Sequence, residues 1–246
     1  MNELLGKKAL VTGGSRGIGA ATAIALAEGG ADVAFTYKSS ADAAAKVVKE
    51  IEALGRRAFA LEVDAADAVA VADGVQQAAD RLGGLDILVN NAGVGAIAPI
   101  TELTLADVDR VLAINVRGAY AAAQAAVPRL SDGGRMIHLG SCVTERVPGP
   151  GMTLYAMSKS AMTGLSKALA RELGERGITS NVVHPGPIDT DMNPADGPFA
   201  AAQLTNLALP RFGTAAEVAA AVTYLAGPQT AYVTGTDLTI DGGHAA

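Results

Sequence analysis

A single cysteine, Cys142, and no tryptophan occur among the 246 residues, and only 4% of the chain is aromatic. One thiol cannot close an internal disulfide, so a cystine-stapled fold is excluded. The three histidines, His138, His184 and His244, are too far apart to form a ligand pair such as H-E-x-x-H, and no metal site is expected. Charge is scarce at 18%, and cations are the minority: 19 Lys and Arg against 25 Asp and Glu give a formal charge of -6. That balance offers no field for a phosphate backbone or an anionic lipid surface, which argues against nucleic acid and membrane as partners. No stretch reaches 18 uninterrupted apolar residues, and the first eight residues set charges on both sides of only two leucines, Leu4 and Leu5. The expected setting is soluble, reducing and cytoplasmic.

Hydrophobic residues make up 50% of the chain, which speaks against intrinsic disorder and for a sizeable core. Residues 1–246 are expected to form one domain. Short apolar runs rich in β-branched residues fall at 9–12, 32–37, 57–63, 87–90, 136–140, 179–184 and 237–240. Longer Ala-rich stretches of helical spacing alternate with them at 17–28, 41–54, 66–81, 105–127, 154–175 and 215–226. Strands apolar on both faces, joined by helices long enough for crossovers, predict an α/β chain with a doubly wound parallel sheet of about seven strands and helices on both faces. Residues 185–209 break the rhythm with Pro185, Pro187, Pro194 and Pro198 and are expected to form a loop over a ligand site.

The first strand runs into Thr12-Gly13-Gly14-Ser15-Arg16-Gly17-Ile18-Gly19 and then a helix. Glycines there let the backbone approach a pyrophosphate whose charge the free N–H groups of the helix start attract, although a plain βα turn needs the same residues. At the end of the second strand a carboxylate would bind a ribose 2′-hydroxyl, whereas cations would accommodate a 2′-phosphate. This strand ends Tyr37-Lys38-Ser39-Ser40 without an acid, so Lys38, Ser39 and Arg16 favour NADP(H), the alternative being a solvated lysine beside turn-forming serines.

Tyr155 and Lys159 stand at i and i+4, on one face of a predicted helix. A cation near a phenol favours the phenolate and suits the tyrosine to acid–base work, although such pairs are commonly plain surface residues. Ser141 follows the fifth strand at its carboxyl end, where open α/β sheets bind ligands, and Asn90-Asn91-Ala92-Gly93 ends the fourth at the same edge. Asn115 interrupts a long helix, where its amide costs propensity unless it is used.

Together with Asp64, Pro185-Gly186, Val233-Thr234-Gly235 and Asp241-Gly242-Gly243, these residues resemble, in order and over essentially the whole length, the short-chain dehydrogenase/reductase family. The resemblance implies a Rossmann fold and four catalytic residues. Tyr155 would protonate the developing alkoxide and Ser141 would hydrogen-bond the carbonyl. Lys159 would bind the nicotinamide ribose and lower the tyrosine pKa, and Asn115 would support a proton relay. The implied cofactor set is Gly13, Ser15, Arg16, Gly17, Ile18, Gly19, Tyr37, Lys38, Ser39, Asp64, Ala65, Asn91, Ala92, Gly93, Tyr155, Lys159, Pro185, Gly186, Ile188 and Thr190. Asp64 and Ala65 would border the adenine, and Pro185, Gly186 and Ile188 the nicotinamide. The family's long helices pack across two-fold axes, which implies a homotetramer.

The general likeness is to 3-oxoacyl-carrier-protein reductases. The 142–151 excursion, however, carries Pro148, Gly149, Pro150 and Gly151, and the basic stretch before the serine strand is reduced to Arg129, with Arg171 and Arg176 further on. The expected function is NADPH-dependent reduction of a ketone or 3-oxoacyl group. The alternatives are an NAD-preferring secondary-alcohol dehydrogenase and a non-catalytic NADP(H)-sensing protein. Val94, Val143, Val147, Met152, Met192 and Phe199 are expected to give an apolar substrate pocket. Cys142, His138 and His184 are expected to be packing residues.

Overall fold

A computed structural model describes residues 3–246. Seven strands, β1 (Lys8–Val11), β2 (Asp32–Tyr37), β3 (Ala58–Glu62), β4 (Leu85–Asn90), β5 (Leu130–Leu139), β6 (Thr179–Pro185) and β9 (Asp237–Ile240), form one sheet in the order β3-β2-β1-β4-β5-β6-β9. Every pairing in it is parallel. The expected doubly wound sheet is therefore present. The connections are α1 (Gly17–Glu28), α2 (Ala41–Ala53), α3 (Ala68–Leu82), α4 (Leu105–Leu112), α5 (Ala119–Ala126), α6 (Thr153–Glu172), α7 (Ala200–Leu204) and α8 (Ala215–Ala226).

The strands lack polar alternation because both faces are covered. Ala9, Val11, Val33, Phe35, Ile87 and Val89 face a core shared with Leu26 of α1 and Val222 of α8. Their neighbours Leu10, Ala34 and Leu88 face a second core with Val75 of α3 and Ala122 of α5. Alternate side chains of one strand thus enter opposite layers. The order reverses between β1 and β4, so their connecting loops diverge there and leave a crevice at the carboxyl edge.

Four expectations need correction. The helix predicted over 105–127 is interrupted by a π-helical turn at Ala113–Gly118, which holds Asn115. The fifth strand begins at Leu130 and not at 136: Leu130 pairs with Leu85, and the register shifts before Arg135 pairs with Ile87. The helix expected from 66 starts at Ala68, because the Asp67 carboxylate accepts from Val69 N (2.9 Å) and Ala70 N (3.1 Å) and so caps it. The 185–209 segment contains α7 and the short strand β7 (Ile188–Asp189), which pairs with β8 (Gly213–Thr214). Among the described residues no helix is long and apolar enough to cross a membrane.

Candidate active site

The glycine turn is shaped by contacts from two neighbouring strands. Gly13 (φ +69) and Gly17 (φ +53) occupy left-handed backbone that other residues rarely adopt. Gly13 N donates to Thr36 Oγ1 at 3.0 Å and Gly14 N to Thr36 O at 2.8 Å. Asn91 Nδ2 donates to the carbonyls of Thr12 and Gly13, both at 2.9 Å. Thr12 Oγ1 accepts from the backbone N–H groups of Asn91 and Ala92, both at 3.0 Å. The turn and the Asn91-Ala92-Gly93 loop are thus one unit. A Cβ on Gly19 would sit 2.5 Å from Asn91 Nδ2 and closer still to the Gly13 carbonyl, and one on Gly17 would touch the Thr190 methyl at 3.4 Å. Thr190 therefore lies against the turn. These glycines make a bare backbone cradle at a helix start, which fits a dinucleotide pyrophosphate.

Beside the cradle, Thr12, Thr36, Val63, Ala65, Ala92 and Gly118 line a narrow apolar cleft. The Asp64 carboxyl is held below its ordinary range, first by its hydrogen bond from Lys38 and then by the Ala66 N–H. Lys38 is thus engaged, its Nζ 2.7 Å from Asp64 Oδ2, whereas Arg16 is exposed and its side chain hydrogen-bonds no described residue. Ser39 is exposed next to Lys38, and Ser15, Ile18 and Tyr37 are partly buried along the cradle.

On the other side of the crevice, Ser141 lies just beyond β5, and Tyr155 and Lys159 lie in the first turns of α6. The Ser141 hydroxyl is near enough to the Tyr155 phenol to favour its ionised form, and it accepts from Val143 N at 3.4 Å. Lys159 is 8% exposed, and its Nζ donates to Leu139 O at 2.9 Å. A Cβ on Gly93 would lie 3.2 Å from that Nζ and 3.4 Å from Asn115 Oδ1, so ammonium, amide and cradle loop meet at one point. Asn115 Oδ1 accepts from Val94 N (2.8 Å), and its Nδ2 donates to Val94 O (2.9 Å) and Ser158 Oγ (3.0 Å). The π turn gives this amide a structural task, and both of its N–H bonds are used within the protein.

Burial lowers the Lys159 ammonium to about 8. Burial also pushes the Tyr155 phenol above its ordinary value, and the Ser141 hydroxyl opposes that shift. Desolvation is the larger of the two effects. Cys142 is buried and its thiol is pushed up to about 12, first by desolvation, which leaves it a packing residue. His138 is fully buried and lowered to about 4 by desolvation.

The carboxyl end of β6 completes the rim. Pro185 and Ile188 are buried, Gly186 packs on Asp241, and Gly186 N donates to Ile240 O at 3.0 Å. Of the expected apolar lining, Val143 is buried, while Val147, Met192 and Phe199 are more than half exposed. Three residues with structural tasks at the site had no role assigned from sequence: Thr12 and Thr36, which bind the cradle, and Ser158, which holds Asn115. The signal for Ser158 was its position beside Lys159 on the inward face. Among the described residues no group of three His, Cys, Asp or Glu is placed to hold a metal.

A family model described as enoyl-(acyl carrier protein) reductase matches residues 13–245. The crystal structure of a short-chain dehydrogenase from Burkholderia cenocepacia, in complex with NADP, is similar over 100% of both chains with 56% identity and a TM-score of 0.98. The cyclic-di-GMP-binding biofilm dispersal mediator protein of Escherichia coli is 45% identical over 246 residues, 100% of each chain. The 3-oxoacyl-[acyl-carrier-protein] reductase of Staphylococcus aureus is 39% identical over 240 residues, 96% of this chain and 97% of that one. With a family model matching residues 13–245 and full-length similarity at this level, the chain belongs to the short-chain dehydrogenase/reductase family of oxidoreductases.

Proposed function

We propose that this chain, as one unit over residues 1–246, reduces a ketone or 3-oxoacyl group to a secondary alcohol with NADPH, and catalyses the reverse oxidation. The observation that carries this is the meeting of Ser141, Tyr155, Lys159 and the Gly93 loop across a bare glycine cradle. The NADP held by the Burkholderia cenocepacia relative supports the cofactor. NADPH when bound supplies the hydride. Gly13, Ser15, Gly17, Ile18 and Gly19 hold its pyrophosphate. Tyr37, Asp64 and Ala65 border the adenine side, and Asn91, Ala92 and Gly93 back the adenosine. Pro185, Gly186 and Ile188 would contact the nicotinamide end, Thr190 would lie beside the pyrophosphate turn, and segment 186–209 would close the substrate side.

Negative charge develops on the carbonyl oxygen as the alcohol forms, and two hydroxyls side by side are placed to receive it. Ser141 donates a hydrogen bond and Tyr155 transfers its proton. A phenol held above its ordinary pKa is fully protonated at neutral pH, the state reduction requires. Lys159 orients the ribose, and Asn115 fixes the loop that carries Gly93. A panel of ketones, aldehydes and free acyl thioesters, assayed for NADPH oxidation, tests the proposal.

Lys38, which pairs with Asp64 at 2.7 Å, and the exposed Arg16 would hold the 2′-phosphate of NADPH. Such partly exposed charged contacts contribute about 1–3 kcal/mol. Replacing both Lys38 and Arg16 with Ala should therefore raise KM for NADPH roughly 5- to 150-fold more than KM for NADH. Equal effects on the two cofactors would contradict the assignment and favour an NAD-preferring alcohol dehydrogenase.

A second reading, a nucleotide-sensing protein without turnover, is favoured by the similarity to the cyclic-di-GMP-binding mediator protein. The retained Ser141, Tyr155 and Lys159 weigh against it, since binding alone does not need them. Docking of an acidic carrier protein has little support: Arg129 pairs with Asp80, and Arg176 with Asp132 at 2.9 Å. Small ketones and free thioesters are the substrates proposed.

A cytoplasmic homotetramer is also proposed. Leu105, Tyr120 and Met157 are 81%, 56% and 53% exposed on α4, α5 and α6, apolar surface suited to closed symmetric packing of helices. Light scattering at micromolar concentration should give four times the 24.6 kDa chain mass, and a single-chain mass would contradict it.

A further inference from the structure

His184 is completely buried at the end of β6, one residue beyond the Leu139–Val183 pair of the β5–β6 ladder. Gly140 makes its place: a Cβ there would overlap the imidazole, 2.5 Å from Cε1. The ring Nδ1 lies 3.1 Å from Ser141 N, 3.0 Å from Ser141 O and 3.1 Å from Thr144 Oγ1. Its Nε2 lies 2.9 Å from Asp237 Oδ1. Asp237 pairs in register with Val182, so its side chain is a diagonal neighbour of His184 across the β6–β9 ladder. The same carboxylate accepts from Thr163 Oγ1 at 2.8 Å and pairs with Lys167 Nζ at 3.3 Å. Thr163 and Lys167 continue the four-residue steps of Tyr155 and Lys159, so all four share one side of α6. Asp237 thus joins the helix that carries the phenol to the histidine that touches Ser141.

One arrangement of the hydrogens satisfies the contacts to Asp237 and to Ser141 N. Burial raises the Asp237 carboxyl, but its bonds from His184, Thr163 and Lys167 outweigh that and hold it below its ordinary value, so it is an acceptor. It requires Nε2–H on His184. Nδ1 is then a lone pair that accepts the Ser141 N–H, while Thr144 Oγ1 donates to Ser141 O at 2.9 Å. The Ser141 hydroxyl has a competing use, since it already accepts from Val143 N at 3.4 Å as the cap of a short 3₁₀ turn.

We infer that His184 and Asp237 are positioning residues for the proposed reduction: the pair fixes the Ser141 backbone, and through it the hydroxyl, against Tyr155. Neither touches the reacting atoms, and the inference rests on the role proposed for Ser141.

Asp237→Asn is the central test. An Asn side chain can donate to Nε2, which moves the histidine proton to Nδ1 and removes the acceptor for Ser141 N–H. The expected result is a fall in kcat of about tenfold or more, because small misplacements of reacting groups carry such costs, with Kd for NADPH changed less than about twofold. Nitrogen-15 spectra of the three histidines should show one ring changing from the Nε2–H to the Nδ1–H tautomer. On a Ser141→Ala background, Asp237→Asn should lower kcat no further.

His184→Asn, whose Oδ1 can stand in for Nδ1, should recover most of the turnover that His184→Ala loses. Wild-type turnover in Asp237→Asn overturns the inference, as does a full additional loss on the Ser141→Ala background. Equal losses of kcat, NADPH affinity and Tm in Asp237→Asn would also overturn it, since they signal a merely structural role. Wild-type turnover in Ser141→Ala alone overturns the role of Ser141 and this inference with it. A loss there with no effect of Asp237→Asn overturns only this inference.

Discussion

Tyr155→Phe is expected to bind NADPH as the wild type does and to lose kcat by a factor of at least ~10². Phenylalanine keeps the ring that packs in the first turn of α6 and removes only the hydroxyl that meets Ser141. Without it the developing alkoxide has one hydrogen-bond donor instead of two and no proton source at the site. Since burial raises the phenol, the wild type should reduce ketones over a broad neutral range and need higher pH for the reverse oxidation, which requires the phenolate. Single-turnover reduction beside fluorescence titration of NADPH separates loss of the proton from loss of binding. Near-normal turnover in the variant would mean that Ser141 or water delivers the proton.

Lys159→Met is expected to lose both turnover, again by about 10² or more, and NADPH affinity, because the ammonium sits where the cradle loop, Asn115 and α6 meet. Its effect on stability should run the other way. A lysine lowered from 10.5 to about 8 by burial means that holding the charge costs the folded chain on the order of 3 kcal/mol at pH 7. The pKa is depressed on folding, so the wild type's contribution from this group is complete above the unfolded value of 10.5 and is lost as pH falls through about 8. Denaturant titrations should therefore find Lys159→Met at least as stable as the wild type at pH 7, with the wild type gaining on it between pH 8 and 10. A flat difference across that range, or unchanged NADPH affinity, would contradict the role given to the buried ammonium.

What was legible in the sequence was local or periodic. The glycine turn carries its geometry within eight residues, and Tyr155 and Lys159 declare a shared face by their spacing. The uninterrupted apolar strands announce burial on both faces and hence a parallel sheet. What was not legible depends on partners remote in the chain. The π turn at Ala113–Gly118 accompanies the anchoring of Asn115 to Val94 and Ser158. The early start of β5 hides behind Ser131-Asp132-Gly133-Gly134, which reads as a turn and lies in the register shift between the Leu130–Leu85 and Arg135–Ile87 pairs. Lys38 looked free because Asp64 is 26 positions away, although the parallel β2–β3 pairing ends with Tyr37 opposite Glu62 and brings the two together. His184 and Asp237 meet through a register that no periodicity reveals, and His184 was expected to be a packing residue.

The most direct measurement of hydride transfer is reduction of a ketone panel with NADPH deuterated at the nicotinamide C4, with mass spectrometry of the product alcohol. The expected result is deuterium on the carbinol carbon for the wild type and almost none for Tyr155→Phe with NADPH still bound. A wild-type chain that binds the labelled cofactor tightly and transfers deuterium to no ketone, aldehyde or acyl thioester would contradict the reductase and place the chain among nucleotide-sensing proteins.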